Sequence, residues 1–169
     1  MPDIVLLDTR AGIDEVASAC LTDMGAKGIL LFASDGEQTW FGYRMLLRYW
    51  NRSGVIGQIR DRLQLVGAMI PEVNSAEYFS GLNEHAWLLF TDEVYDEVPA
   101  GESAIDFFSF EQMDTSAPHY PLPVRWNRGF SSLQSIHGRL QQLDKEMITQ
   151  VFGELIAGVR MMAGFETDD

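Results

Sequence analysis

Apolar and polar positions along this chain fall into short apolar runs separated by segments of helical period. Residues 3–7, DIVLL, form an apolar run closed by Asp8, the pattern of a buried strand. Ile13, Val16, Ala17, Cys20 and Leu21 then fall on one face of a helix over residues 12–24, with Gly25 and Gly28 as stop signals. Residues 28–34, GILLFAS, read as a second strand, ended by the Asp35-Gly36 turn. Strand, helix and strand at this spacing predict a right-handed βαβ unit.

The next stretch, residues 40–63, carries two stripes when wound as a helix. Tyr43, Leu46, Leu47 and Trp50 face a core, and Arg44, Arg48 and Arg52 run along a flank. A break is expected near Ser53-Gly54. A second helix over about 55–69 would then bury Ile56, Ile59, Leu63, Val66 and Ile70, with Pro71 ending it. Residues 75–84 suggest a short helix or turn. Residues 86–91, AWLLFT, read as a strand ending at Asp92, and 94–98 and 104–110 as shorter strands. Pro118, Pro121 and Pro123 make 111–130 an extended surface loop. From Ser131 the period becomes helical again, through Leu133, Ile136, Leu140, Leu143, Met147, Val151, Leu155 and Val159.

A helix running unbroken from there to about residue 163 would be ~50 Å long at ~1.5 Å per residue. A domain of this size has a radius of gyration of only ~15 Å. Either the helix breaks near Gly153 or Gly158, or a second copy of the chain covers part of it. The expectation is a homodimer through that helix. The fold class expected is a single α/β domain. It has a mixed sheet of about four or five strands covered by helices, a core over 1–130 and a long C-terminal helix with an acidic tail over 131–169.

Composition supports a filled core: of 169 residues, 46% are hydrophobic and 11% aromatic. The formal net charge of −13 argues against nonspecific binding to nucleic acid or to anionic lipid. Charge is also unevenly placed. Five of the twelve basic residues lie between Trp40 and Leu63, and Leu63–Val124 holds eleven Asp or Glu and no Lys or Arg. Either the arginines pair with these carboxylates inside the domain, or two separate patches engage partners. The single cysteine leaves no intrachain disulfide and no cysteine-based zinc site. With no signal-peptide pattern in MPDIVLLDTR and no spanning apolar run, the expectation is a cytoplasmic protein without membrane contact.

Candidate chemistry is sparse. Asp8, Asp35 and Asp92 each follow an apparent strand, the end of an open parallel sheet where ligands bind. Gathered there, they would suit Mg2+ and a phosphate held by Arg44 or Arg48. No cofactor is otherwise implied. The histidines His85, His119 and His137 show no metal-ligand spacing, and no nucleophile elbow or phosphate loop is present. The run DIVLLD resembles the phospho-acceptor strand of a response-regulator receiver. It lacks the preceding acidic pair and the later lysine, so no family membership follows.

The leading expectation is therefore a non-enzymatic binding or regulatory protein. Its acidic surface, about 72–114 and including Glu93, Asp96 and Glu97, would meet a protein partner with a basic surface, in place of nucleic acid in one version. The arginine and aromatic helix, with Trp40, Trp50, Arg44, Arg48 and Arg52, would be a second contact or self-association surface, because arginine with aromatics is the composition of interface hot spots. The alternatives are a Mg2+-dependent phosphohydrolase or nucleotide-binding domain using the three aspartates, and a structural subunit of a larger assembly.

Overall fold

In a computed structural model that describes residues 4–8, 25–131 and 144–165, the chain is a mixed α/β domain built on three parallel strands. Strand β1 (Ile29–Ala33) leads into helix α1 (Glu37–Arg52). A short helix, α2 (Ile56–Ile59), and a 3-10 turn (Arg60–Arg62) deliver the chain to β2 (Leu63–Ile70). Helix α3 (Ser75–Glu93) follows, then a long irregular segment with one 3-10 turn (Ala104–Asp106), then β3 (Leu122–Arg125). A helical turn, α4 (Arg128–Ser131), and helix α5 (Lys145–Ala163) complete the order. The sheet order is β1-β2-β3, with Ile29 opposite Leu63 and Val66 opposite Leu122.

Each crossover returns to the same sheet in parallel, so helices must cover the strands. Ile29, Leu31, Leu63 and Leu65 face α1, α2 and α3, where they meet Leu47, Trp50, Ile56, Ile59, Leu82, Ala86, Leu89 and Phe90 in one buried cluster. Gly67 turns toward the same side, with Leu82 Cδ2 3.3 Å from where its Cβ would stand. The neighbouring positions Val66 and Leu122 therefore point to the opposite face, where α5 packs. Gly158 lies so close to Leu122 there that an added Cβ would sit 2.5 Å from Leu122 Cδ1. Asp144 caps α5 by accepting from Glu146 N at 3.1 Å.

Several sequence expectations are corrected. Among the described residues the sheet has three strands rather than about four or five, and they run parallel rather than in mixed directions. Residues 4–8 form no strand, and Ile4, Val5, Leu6 and Leu7 are exposed. Apolar content identifies a segment that gains by burial without identifying the neighbour that would bury it. The βαβ unit consequently begins one strand later, as β1, α1 and β2.

Residues 63–70 are strand, not the second half of a helix. Leu65, Val66 and Gly67 are all buried, because a central parallel strand has two covered faces and loses the period of two. The run 86–91 belongs to α3, where Leu82, Ala86, Leu89, Phe90 and Glu93 are buried at helical spacing. Residues 94–98 form no strand, and 104–110 contain only the 3-10 turn. The stretch taken for a loop contains β3, whose Pro123 is tolerated because β3 is an edge strand among those described. The strand 29–33, the helix through Arg52 and its end at Ser53 agree with expectation. So does a C-terminal helix, which continues through Gly153 and Gly158. The helix expected over 12–24 and the first part of the C-terminal helix, 132–143, lie outside the described residues.

Because Leu65 is fully buried in the central strand, Leu65→Ala should lower unfolding free energy by about 2–5 kcal/mol in urea titration. Ile105→Ala, at an exposed position, should stay within about 0.5 kcal/mol of the parent.

Candidate functional site

The carboxyl end of β1 carries a hydrogen-bonded polar cluster on the sheet edge where open α/β folds bind ligands. Asp35 follows the strand directly. Its Oδ1 accepts from Trp40 Nε1 at 2.8 Å and lies 2.8 Å from His85 Nδ1. Its backbone N–H donates to the Tyr78 hydroxyl at 2.7 Å. Trp40 comes from the first turn of α1, while Tyr78, Gly81 and His85 form a stripe on α3 at helical spacing. Gly81 leaves room for this approach, since an added Cβ would lie 3.3 Å from Asp35 Oδ2. The Trp40 and His85 rings stand 5.7 Å apart between centroids.

With Nδ1 donating to the carboxylate, His85 holds its proton there and presents Nε2 as a lone pair with no hydrogen-bond partner among the described residues. Its side chain is half exposed while that of Asp35 is largely covered. An orienting carboxylate behind a solvent-facing imidazole is the arrangement of a general base. At the same edge, β2 has an irregular register near its end, and Met69 there adopts a φ of 59°. Left-handed backbone at a non-glycine residue costs energy and tends to occur at functional positions.

The three aspartates do not come together. Asp92 lies in the last turn of α3, two helical turns beyond His85 or about 10 Å along the axis, where it accepts from Arg44 Nη1 at 2.7 Å. Asp8 belongs to the exposed, non-strand segment. Only Asp35 follows a strand. Among the described residues, no group of three or more His, Cys, Asp or Glu is placed to hold a metal ion.

The arginine flank and the acidic run are brought together instead along the α1–α3 seam. Arg48 places Nη2 2.6 Å and Nε 3.0 Å from Glu93 Oε1, and Asn51 donates to the Glu93 carbonyl. Glu93 itself is buried. Arg60 Nη1 donates to Asp96 Oδ1 at 2.6 Å and lies over the Phe108 ring. That hydrogen bond holds the Asp96 carboxyl below the usual carboxylate range. Trp50 is buried in the core and Trp40 is half-buried, whereas Glu97 is exposed. Arg52 is exposed and has no hydrogen-bond or ion-pair partner among the described residues.

The long segment after α3 is anchored by a buried histidine that sequence spacing did not single out. His119 is fully buried among Phe90 and Tyr95. Its Nε2 faces the Gln112 carbonyl at 3.1 Å, so Nε2 carries the proton and Nδ1 accepts from the Tyr95 hydroxyl at 2.5 Å. Burial pushes the His119 pKa down and the Tyr95 pKa up. The aromatic pairs Tyr95–Phe108, Tyr95–Phe110 and Phe108–Phe110 extend this anchor.

Compared with known proteins, the chain matches no family model, no curated protein and no solved structure. No helix among the described residues is long and apolar enough to cross a membrane.

Two outcomes follow from the seam and the anchor. Arg48→Ala should lower the melting temperature more than Arg44→Ala, because it strips the buried Glu93 of both its shortest contacts, and equal losses would contradict that ranking. The unfolded chain protonates His119 near 6.5 and the folded chain only at lower pH. Its contribution to stability is therefore complete above about 6.5 and is lost as pH falls through the folded value. Urea titrations between pH 7 and pH 5 should show this decline, and His119→Asn should flatten it.

Proposed function

We propose that this protein is a non-enzymatic binding or regulatory protein whose acidic surface meets a basic protein partner in the cytoplasm. One observation carries the reading. The segment following α3 presents Glu97, Glu102, Asp106 and Glu111 as exposed carboxylates along the same stretch as Ile105, which is 92% exposed. None of the four has an ion-pair partner among the described residues.

An apolar side chain held in water on a segment that carries like charge gains from a partner that supplies both apolar surface and positive charge. Glu93 and Asp96 are already committed to Arg48 and Arg60, so the recognition surface narrows to the residues after Asp96. Its anchor by His119 and Tyr95 limits the ordering cost on binding. A protein that otherwise binds nucleic acid is one form of such a partner.

A second reading, an enzyme acting by proton transfer at the carboxyl end of β1, is supported by the Asp35–His85 pair. Thermal-shift measurements with Mg2+ and nucleotides test it. Stabilisation seen in the parent and lost in His85→Ala would favour it, and the absence of any shift would count against it.

For the binding reading, the tagged chain is used to recover partners from its native host at low and moderate salt. The expected result is a stoichiometric partner lost as salt rises, since exposed charge pairs are screened within ~8–10 Å. Glu97→Gln, Glu102→Gln and Asp106→Asn combined with Ile105→Ser should weaken that complex at least about tenfold, with an unchanged melting temperature. Undiminished binding by this folded variant would overturn the assignment of the surface.

A further inference from the structure

The outer face of α1 reverses the usual pattern of a surface helix. Leu47 and Trp50 point into the core, so the direction opposite them should carry the polar residues. Phe41, Met45 and Tyr49 stand there at four-residue spacing, and they are 69%, 52% and 48% exposed. The helical repeat also brings Glu37 to the N-terminal end of this face and Arg52 to its C-terminal end. Both are exposed, and neither has an ion-pair partner among the described residues.

We propose that this face of α1 is a self-association surface, and that its occupant is α1 of a second copy packed antiparallel about a two-fold axis at Met45. The order acid, apolar, apolar, apolar, base is complementary to its own reverse. With the axis at Met45, a residue a given number of positions before it faces the residue the same number after it. Phe41 then meets Tyr49 of the other copy, and Met45 meets its counterpart. Glu37 comes within one residue of being directly opposite Arg52 of the other copy. In a parallel arrangement, acid would face acid and base would face base.

A two-fold interface is self-complementary by construction, as this arrangement requires. The aromatic rings and the thioether supply the apolar centre, and the charged ends form its rim. A single helix pair is smaller than the ~800 Å² per partner of a standard interface. The dimer is accordingly weak, and its population follows concentration. This surface differs from the C-terminal helix first expected to dimerise, and it is separate from the acidic segment after α3.

Sedimentation velocity of the full chain over a concentration series is the direct test. Monomer and dimer in concentration-dependent exchange are expected, whereas a chain that stays monomeric throughout overturns the proposal. Met45→Arg should abolish the dimer while keeping the parent's circular dichroism and melting temperature, and a dimer as strong as the parent's would place the contact elsewhere. Glu37→Arg and Arg52→Glu should each weaken association about tenfold, because each pair occurs twice about the axis. The two changes together should restore it, and a double variant no better than the singles would reject the antiparallel register. In a Cys20→Ser background, Met45→Cys should form an intermolecular disulfide under mild oxidation, since the axis brings the two side chains together. Gln58→Cys, exposed off this face, should not, and equal cross-linking by both would also reject the register.

Discussion

Leu65, Val66 and Gly67 are consecutive residues of one strand, and all three are buried. That can happen only when both faces of the strand are covered. A parallel sheet enforces it, because every strand must be reached by a crossover that leaves a helix on the sheet. With three strands in the order β1-β2-β3, β2 is central, and the rest of the domain is arranged to keep it dry. Helices α1, α2 and α3 cover one face. Helix α5 reaches the other, where Gly158 allows it to sit against Leu122.

Once α1 and α3 lie side by side on one face, their facing flanks must be compatible in charge. Arg44 and Arg48 meet Asp92 and Glu93 there, and Trp40 and His85 converge on Asp35 at the other end of the seam. The charge dipole evident in the sequence is in this way partly neutralised within the fold. The exposed pairs contribute little by themselves. Glu93 differs, because a buried carboxylate without its arginine would carry a large desolvation cost.

What the fold leaves unneutralised is more informative than what it pairs. The carboxylates of the segment that carries Ile105, the apolar outer face of α1 and the lone pair of His85 each lack a partner among the described residues. They lie in different places: an irregular segment anchored by His119, the outer face of α1 and the carboxyl edge of the sheet. Each suits a different kind of contact.

Much of this was legible along the chain. The spacing of Tyr43, Leu46, Leu47 and Trp50 determined by itself which side of α1 is buried, because helical period converts directly into a face. The apolar run 29–33 determined a strand, and Leu63–Val124, lacking any basic residue, determined a stretch whose charges are all negative. The tertiary structure alone decided the state of 63–70 and of 86–91, since a short apolar run does not by itself distinguish strand from helix. It alone also decided that Asp35 meets His85, fifty residues away, and that Asp92 does not join them. Which distant residues meet depends on strand order and on which helix faces which. Those are properties of the packed chain, to which local spacing is blind.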